Sequence, residues 1–105
     1  MRIYISGPIT GQKDYKETFA LAADRIEEAG HEPVNPAAEL QPGHSYRFYI
    51  DRSIELLQGC DAIYMLPGWD DSTGASLEHA YAQAVRMMVY REDLGWWMNL
   101  PFDKK

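Results

Sequence analysis

The chain has little of the chemistry that cross-links proteins, spans membranes or binds metals. Cys60 is the only cysteine among 105 residues, so an internal disulfide is excluded. No Cys and His cluster has the spacing of a metal site, and we expect neither a metal nor another cofactor. No stretch approaches the roughly 20 apolar residues of a membrane-spanning helix, and the N-terminus lacks the apolar core of a signal peptide. We therefore expect a cytoplasmic protein without a membrane partner, with Cys60 as a buried structural thiol.

Positive charge is also scarce. Ten Lys and Arg residues stand against sixteen Asp and Glu residues, which gives a formal net charge of -6, and no basic run interrupts that balance. Because a phosphate backbone is attracted by clustered positive charge, nucleic acid is not expected as a partner. The length and the 46% hydrophobic content suffice for one compact core. We predict a single domain over residues 1–105, with a core over about 1–90 and an aromatic tail over 91–105.

Short β-like runs alternate with helix-like segments along the chain. Strands are predicted at "RIYISG", "HEPVNP", "DAIYMLP" and "MMVY", and helices over 14–29, over 46–58 and from about Ser72 onward. Asp14 is predicted to cap the first helix, and "AAELQPGHS" is predicted to be an irregular loop because its Pro and Gly oppose regular pairing. The alternation indicates an α/β three-layer sandwich with a parallel, flavodoxin-like or Rossmann-like open sheet of about four to five strands.

Two loops follow strands at the edge where open α/β sheets bind ligands. "SGPITGQ", residues 6–12, leaves the first strand, and "PGWDDSTGAS", residues 67–76, leaves the third. The first loop has neither the G-K-[ST] ending of a triphosphate-binding loop nor the G-x-G-x-x-G of a dinucleotide site. Two interpretations of this loop stay open. It is either a tight turn into a helix, or a loop whose small residues let backbone amides approach a ligand.

Glu78 is an acidic residue in the otherwise small and apolar segment "GASLEHAYAQA". Ala75 and Ala82 share its helix face through the i, i+3, i+4 spacing, which leaves space around the carboxylate. Glu78 is either a solvated glutamate favoured by the helix dipole or a carboxylate that meets a ligand over the helix start. Its position alone leaves both interpretations open.

Three stretches together resemble a known family. The order and spacing of "YISGPITG", "GHEPVNP" and "CDAIYMLPGWDDSTGASLEHAYA" resemble the nucleoside 2-deoxyribosyltransferase superfamily, in particular its small branch of phage and bacterial domains. The resemblance covers roughly residues 1–90 and is most specific at "LPGWDDSTGASLE". The superfamily includes deoxyribosyltransferases, which exchange bases between deoxynucleosides, and deoxynucleoside monophosphate N-glycosidases, which transfer the sugar to water.

The resemblance implies site residues. Glu78 matches the family's catalytic nucleophile, and Tyr4 matches a tyrosine that hydrogen-bonds the nucleophile or the sugar. The implied substrate-binding residues are Gly7, Pro8, Ile9, Thr10, Gly11, Ser72 and Gly74. Trp69 is interpreted either as a platform for a base or as a subunit contact. The chain departs from the family pattern twice: Ser53 replaces a usual aspartate, and Thr10 replaces the basic residue of the monophosphate hydrolases.

The implied function is cleavage or transfer of the N-glycosidic bond of a deoxynucleoside or deoxynucleoside 5'-monophosphate, a small-molecule partner. The alternative, motivated by Ser53, is a non-catalytic module that keeps the pocket to bind a nucleotide or a related small molecule. Family members are usually oligomers in which a neighbouring subunit helps complete the site. We therefore expect a homo-oligomer, most simply a dimer along the helices after the first two strands. Aromatic residues that suggest such contacts are Tyr46, Phe48, Tyr49, Trp96, Trp97 and Phe102.

Overall fold

The protein is built around a parallel sheet. The structure is a computed structural model that describes residues 1–40 and 43–99. Within these residues the strands are β1 (Arg2–Ser6), β2 (Glu32–Val34), β3 (Ala62–Met65) and β4 (Met88–Arg91). Their order across the sheet is β2-β1-β3-β4, and all neighbouring strands are parallel. The strand order reverses between β1 and β3, as at the ligand-binding edge of open α/β sheets. The predicted α/β fold is confirmed.

The helices are α1 (Tyr15–Glu28), α2 (Pro36–Glu39), α3 (Tyr46–Gln58) and α4 (Thr73–Ala84), with short 3-10 turns at Trp69–Asp71, Glu92–Leu94 and Trp96–Asn99. Ser45 caps α3 and Ser72 caps α4, because each hydroxyl accepts a hydrogen bond from a backbone N–H in the first turn. None of the helices in the described part of the chain combines the length and the apolar character needed to cross a membrane.

Two local features differ from the sequence-based expectations. The predicted loop after β2 contains the short helix α2, because the Asn35 side chain accepts from the N–H of Ala37 and Pro36 occupies the first helical position. The proline that ends a strand is thus equally suited to begin a helix. The α1 helix begins where predicted, but the Asp14 side chain makes no capping hydrogen bond.

The core consists of two layers, one on each face of the sheet. On one face, Ile3, Ile5 and Tyr64 pack against α1 residues that include Phe19 and Ile26. On the other face, Tyr4, Ile63 and Met65 pack with Leu57 of α3 and Ala82 of α4. Because side chains alternate along a strand, Ser6 projects to the same face as Tyr4. The strand therefore presents two hydroxyl groups toward α4.

Cys60 and Trp97 lie near this core. Cys60 is buried and its thiol donates to the carbonyl of Leu56, while burial raises the pKa of the thiol to about 11. The prediction of a buried structural thiol is confirmed. Trp97 packs against the α1 side of the core, with the Arg25 guanidinium 4.5 Å from its ring centroid. Trp96 is exposed. Phe102 lies outside the described residues.

Gly7 follows β1 at a point of close packing and generates our first prediction. A Cβ added at Gly7 would lie 2.8 Å from the Cβ of Leu66. We expect Gly7→Ala to lower the free energy of unfolding by about 1–3 kcal/mol, the usual range for overpacking, as measured by urea denaturation. Gly74→Ala is the matched control, because its Cβ would make ordinary contacts with the flexible end of Ile50 at 3.4 Å and the Tyr46 hydroxyl at 3.9 Å, and alanine favours a helix. A Gly7→Ala variant as stable as the wild type would contradict the prediction.

Candidate active site

A cleft of about 1020 Å³ opens at the carboxyl ends of the strands. The loops after β1, β2 and β3 all contribute to its lining, together with residues of α1 and α3. Tyr4 and Glu78 lie on the cleft lining as well, although both are buried. The cleft is therefore located where the strand order predicts a ligand site.

The Glu78 carboxylate is held by two hydroxyl groups from β1. Glu78 is only 7% exposed. The Tyr4 hydroxyl donates to its Oε2 atom, and the Ser6 hydroxyl donates to its Oε1 atom at 2.8 Å. Each carboxylate oxygen thus has a buried donor, which is the arrangement that buried polar groups require. Tyr4 and Glu78 therefore meet at this cleft.

Burial sets the protonation of these groups. Removal from water disfavours the charged form and raises the pKa of Glu78 to about 6, while the hydrogen bonds from Tyr4 and Ser6 oppose this rise. Burial, and then the negative charge of Glu78, raise the pKa of Tyr4 well above its usual value. At neutral pH most of the Glu78 population is therefore an ionised carboxylate that faces a protonated tyrosine.

Most of the residues that were expected to bind substrate line the cleft. They are Gly7, Pro8, Ile9, Thr10, Ser72 and Gly74. The Ser72 hydroxyl is already used as the cap of α4, where it accepts from the N–H of Ala75 at 3.3 Å. The two loops approach each other where a Cβ on Gly68 would lie 3.5 Å from the Pro8 ring. The structure thus brings the two sequence stretches together around one opening.

Gly11 and Trp69 are not among the described residues that line the cleft. Gly11 has a φ of 78°, a left-handed conformation that glycine adopts easily, and it lies in a turn closed by the N–H of Gln12. The Trp69 ring stacks on the His79 ring with their centroids 4.2 Å apart. Arg91 lies over the same indole, 5.3 Å from its centroid. Trp69 therefore packs the loop after β3 against α4.

Several residues at or beside the cleft received no role in it from sequence. Ser6 ends the predicted first strand and was not singled out, although its position two residues beyond Tyr4 is the signal for a shared face. Ser53 lines the cleft, and its interaction with Tyr4 opposes the rise in the pKa of that tyrosine. Besides Glu78, the charged residues among the described residues of the lining are Lys16 and Asp71, and both are exposed. Nothing in their local sequence pattern separates them from solvated surface charges.

Metal chemistry has no evident ligand set in the described residues. Across 1–40 and 43–99, no group of three or more His, Cys, Asp or Glu side chains is arranged to hold an ion. The chemical resources of the cleft are instead one buried carboxylate, several hydroxyl groups and the backbone of two loops.

Comparison with known proteins places the chain in a family. A family model described as a domain of unknown function, DUF4406, matches residues 1–91. The chain belongs to the DUF4406 family. No curated protein matches the chain by sequence.

Solved structures identify the fold of this DUF4406 chain. A 2-deoxyribosyltransferase from Bacillus psychrosaccharolyticus aligns with a TM-score of 0.68 and 18% identity over 87% of this chain and 71% of that chain. One from Leishmania mexicana aligns with a TM-score of 0.68 and 19% identity over 86% and 62%. A CMP N-glycosidase from Clostridium botulinum aligns with a TM-score of 0.56 and 21% identity over 87% and 67%. The resemblance to this superfamily is confirmed at the level of the fold, and the phage and bacterial branch stays a prediction.

The raised pKa of Glu78 generates a prediction about stability. Because the pKa rises from 4.5 to about 6 on folding, the stability contributed by this group is present below pH 4.5 and is lost as the pH rises through 6. Glu78→Gln avoids this loss and keeps an acceptor for Tyr4. We expect this variant to exceed the wild type in free energy of unfolding by about 2 kcal/mol near pH 8, with the difference shrinking toward pH 4.5.

The measurement is urea denaturation of both proteins across this pH range. Glu27→Gln is the matched control, because Glu27 is exposed on α1 and its substitution should leave the pH dependence unchanged. A difference between Glu78→Gln and wild type that does not vary with pH would contradict the assigned pKa.

Proposed function

We propose that this chain cleaves or transfers the N-glycosidic bond of a deoxynucleoside or deoxynucleoside 5'-monophosphate, with Glu78 as the nucleophile. The observation that carries the proposal is the buried Glu78 carboxylate on the cleft lining, held by the hydroxyl groups of Tyr4 and Ser6. The fold shared with two 2-deoxyribosyltransferases and a CMP N-glycosidase supports this chemistry.

The reaction proceeds in two steps. A Glu78 oxygen attacks the anomeric carbon, the bond from that carbon to the base nitrogen breaks, and its electron pair leaves with the base, which takes a proton from solvent. Water or the nitrogen of a second base then attacks the anomeric carbon, gives up its proton to solvent, and releases Glu78 as a carboxylate. Water yields the free sugar, and a second base yields a new nucleoside.

The surroundings of Glu78 suit both steps. The anomeric carbon gains positive character as the bond to the base breaks, and a carboxylate in a site shielded from water stabilises that charge more strongly than one in solvent. With a pKa of about 6, Glu78 is mostly ionised at neutral pH. Because Tyr4 stays protonated, it keeps the carboxylate oriented. Tyr4 is therefore assigned as the residue that positions the nucleophile.

The lining residues suggest how a substrate lies. We assign the sugar to the loop after β1, which spans Gly7 to Thr10, and assign a 5'-phosphate to the hydroxyl and amides near Ser72 and Gly74. Lys16 offers a positive charge on the cleft lining that Thr10 lacks. The aromatic rings of α3 offer a surface for the base. Gly11 is assigned to the shape of the turn after β1, and Trp69 to the packing of the loop after β3 against His79 of α4.

A second candidate function is a binding module without catalysis. Ser53 lines the cleft at the position where the family resemblance leads us to expect an aspartate, and it interacts with Tyr4. Such a module would bind the same nucleoside or nucleotide and leave its glycosidic bond intact. Base release distinguishes the two functions directly.

The catalytic proposal is tested by measuring free base. Deoxynucleosides and their monophosphates are incubated with the protein, with and without an acceptor base, and the products are separated by chromatography. We expect base release by the wild type and a loss of at least about a thousandfold in Glu78→Gln, as is usual when a nucleophile is removed. Release should also fall as the pH drops below about 6, because protonation removes the nucleophile.

Glu27→Gln is again the control and should turn over substrate like the wild type. Equal turnover by Glu78→Gln and wild type would contradict the role of Glu78. Tight binding of a nucleotide by the wild type without base release would favour the binding module.

We also propose that a second copy of the chain covers the cleft. Tyr46 and Phe48 on α3 are 60% and 41% exposed, and Tyr46 also lines the cleft. A cover would shield the cleft from bulk water while still admitting single water molecules or an acceptor base, and a specific interface should bury at least about 1,000 Å² in total. Light scattering at micromolar concentration should give the mass of a dimer for the wild type and of a monomer for Phe48→Glu. A wild-type monomer with full activity would contradict the proposal.

A further inference from the structure

Ser6 occupies an unusual place beside the proposed nucleophile. It is the last residue of β1, is 1% exposed, and donates its hydroxyl hydrogen to Oε1 of Glu78 at 2.8 Å. Tyr4 donates to the other oxygen, Oε2. Both oxygens of the carboxylate therefore already accept a hydrogen bond from the protein itself.

The backbone holds Ser6 rigidly at this place. It is paired with Met65 of β3, and its carbonyl accepts the N–H of Leu66 at 2.8 Å. Tyr4 lies two residues earlier on the same strand and is paired with Val34 and Ile63 on either side. Because the two donors project from β1, an interior strand of the sheet, they hold the plane of the Glu78 carboxylate in one orientation.

In many glycosidases that form a covalent intermediate, the substrate itself supplies a hydrogen bond that assists the reaction. The 2-hydroxyl of the sugar forms a hydrogen bond that strengthens in the transition state. A 2'-deoxy sugar has no such hydroxyl, so an enzyme that acts on it must obtain this stabilisation elsewhere. The hydroxyl of Ser6 is fixed against the nucleophile and does not depend on the substrate.

We propose that Ser6 is a positioning residue that gives Glu78 the hydrogen bond which the 2'-hydroxyl of a ribose would otherwise give, and that it thereby fits the site to 2'-deoxy sugars. This inference rests on the proposed function. When Ser6 is present, the 2'-hydroxyl of a ribonucleoside competes with the Ser6 hydroxyl for Oε1. On burial it therefore loses a hydrogen bond to water without gaining one to Glu78. Without the Ser6 hydroxyl, Oε1 is free to accept from the ribose.

The test compares two sugars that carry the same base. Both nucleosides carry the base that the wild type releases fastest. The ratio of kcat/KM for the 2'-deoxynucleoside to that for the ribonucleoside is measured in wild type and in Ser6→Ala. We expect the ratio to fall at least about tenfold in Ser6→Ala, equivalent to about 1.4 kcal/mol of discrimination. Ser6→Cys keeps the size and a weak donor, and its ratio should lie between the two.

The matched control is Ser76→Ala. Ser76 lies on α4 two residues before Glu78, but its hydroxyl donates to the carbonyl of Trp69 and not to the carboxylate. This variant should keep the wild-type ratio. If Ser6 only supports the fold, Ser6→Ala and Ser6→Cys will lower kcat/KM for both sugars by the same factor, and an unchanged ratio overturns the inference.

A second measurement does not require turnover. The carboxyl carbon of Glu78 is titrated by NMR, and its pKa should rise above the wild-type value of about 6 in Ser6→Ala, because the lost hydrogen bond favoured the charged form. An unchanged pKa in this variant would mean that Ser6 does not position the carboxylate, and it would overturn the inference.

The two proposals fail in different ways. Absence of base release from every compound by the wild type overturns the proposed function. The sugar preference is then tested by calorimetry, as the ratio of the dissociation constants of the same two nucleosides in wild type and Ser6→Ala. An equal ratio in the two proteins overturns the role of Ser6, and a shift toward the ribonucleoside in Ser6→Ala supports it.

Discussion

The burial of one carboxylate is the constraint on which the site depends. A charged group taken out of water is costly unless hydrogen bonds replace its solvation. For Glu78 these bonds come from Tyr4 and Ser6, which lie more than seventy positions earlier in the chain. The small residues Ala75 and Ala82 lie on the same buried face of α4 as Glu78 and allow the helix to approach β1. Both donors reach the carboxylate only when the sheet and α4 are assembled, so the buried anion keeps two hydrogen bonds in the folded protein.

The topology of the sheet supplies this assembly. With β1 between β2 and β3, loops from three strands end around the same opening, and the strand that carries the donors lies at its base. Close contacts keep the loops in place: Gly7 passes against Leu66, and Gly68 lies near the ring of Pro8. The same residues that permit tight turns thus also bring the two loops together over Glu78.

Much of the fold could be predicted from sequence because alternating strands and helices have distinct hydrophobic periods. Glu78 and Tyr4 were identified through a family resemblance, since position alone does not distinguish a buried glutamate from a solvated one. Ser6 was missed because a serine before Gly-Pro is also typical of a turn. The packing of Trp69 on His79 depends on how the loop after β3 folds back over α4, and no local sequence pattern predicts this contact.

The single cysteine has a practical consequence for studying ligand binding in solution. Cys60 is buried, and a thiol with a pKa of about 11 is almost entirely protonated at neutral pH, so alkylating reagents react with it slowly. A cysteine introduced at an exposed lining position such as Gln12 would then be the one reactive thiol of the chain. An environment-sensitive fluorophore attached there would report occupancy of the cleft for any compound, without knowledge of the reaction.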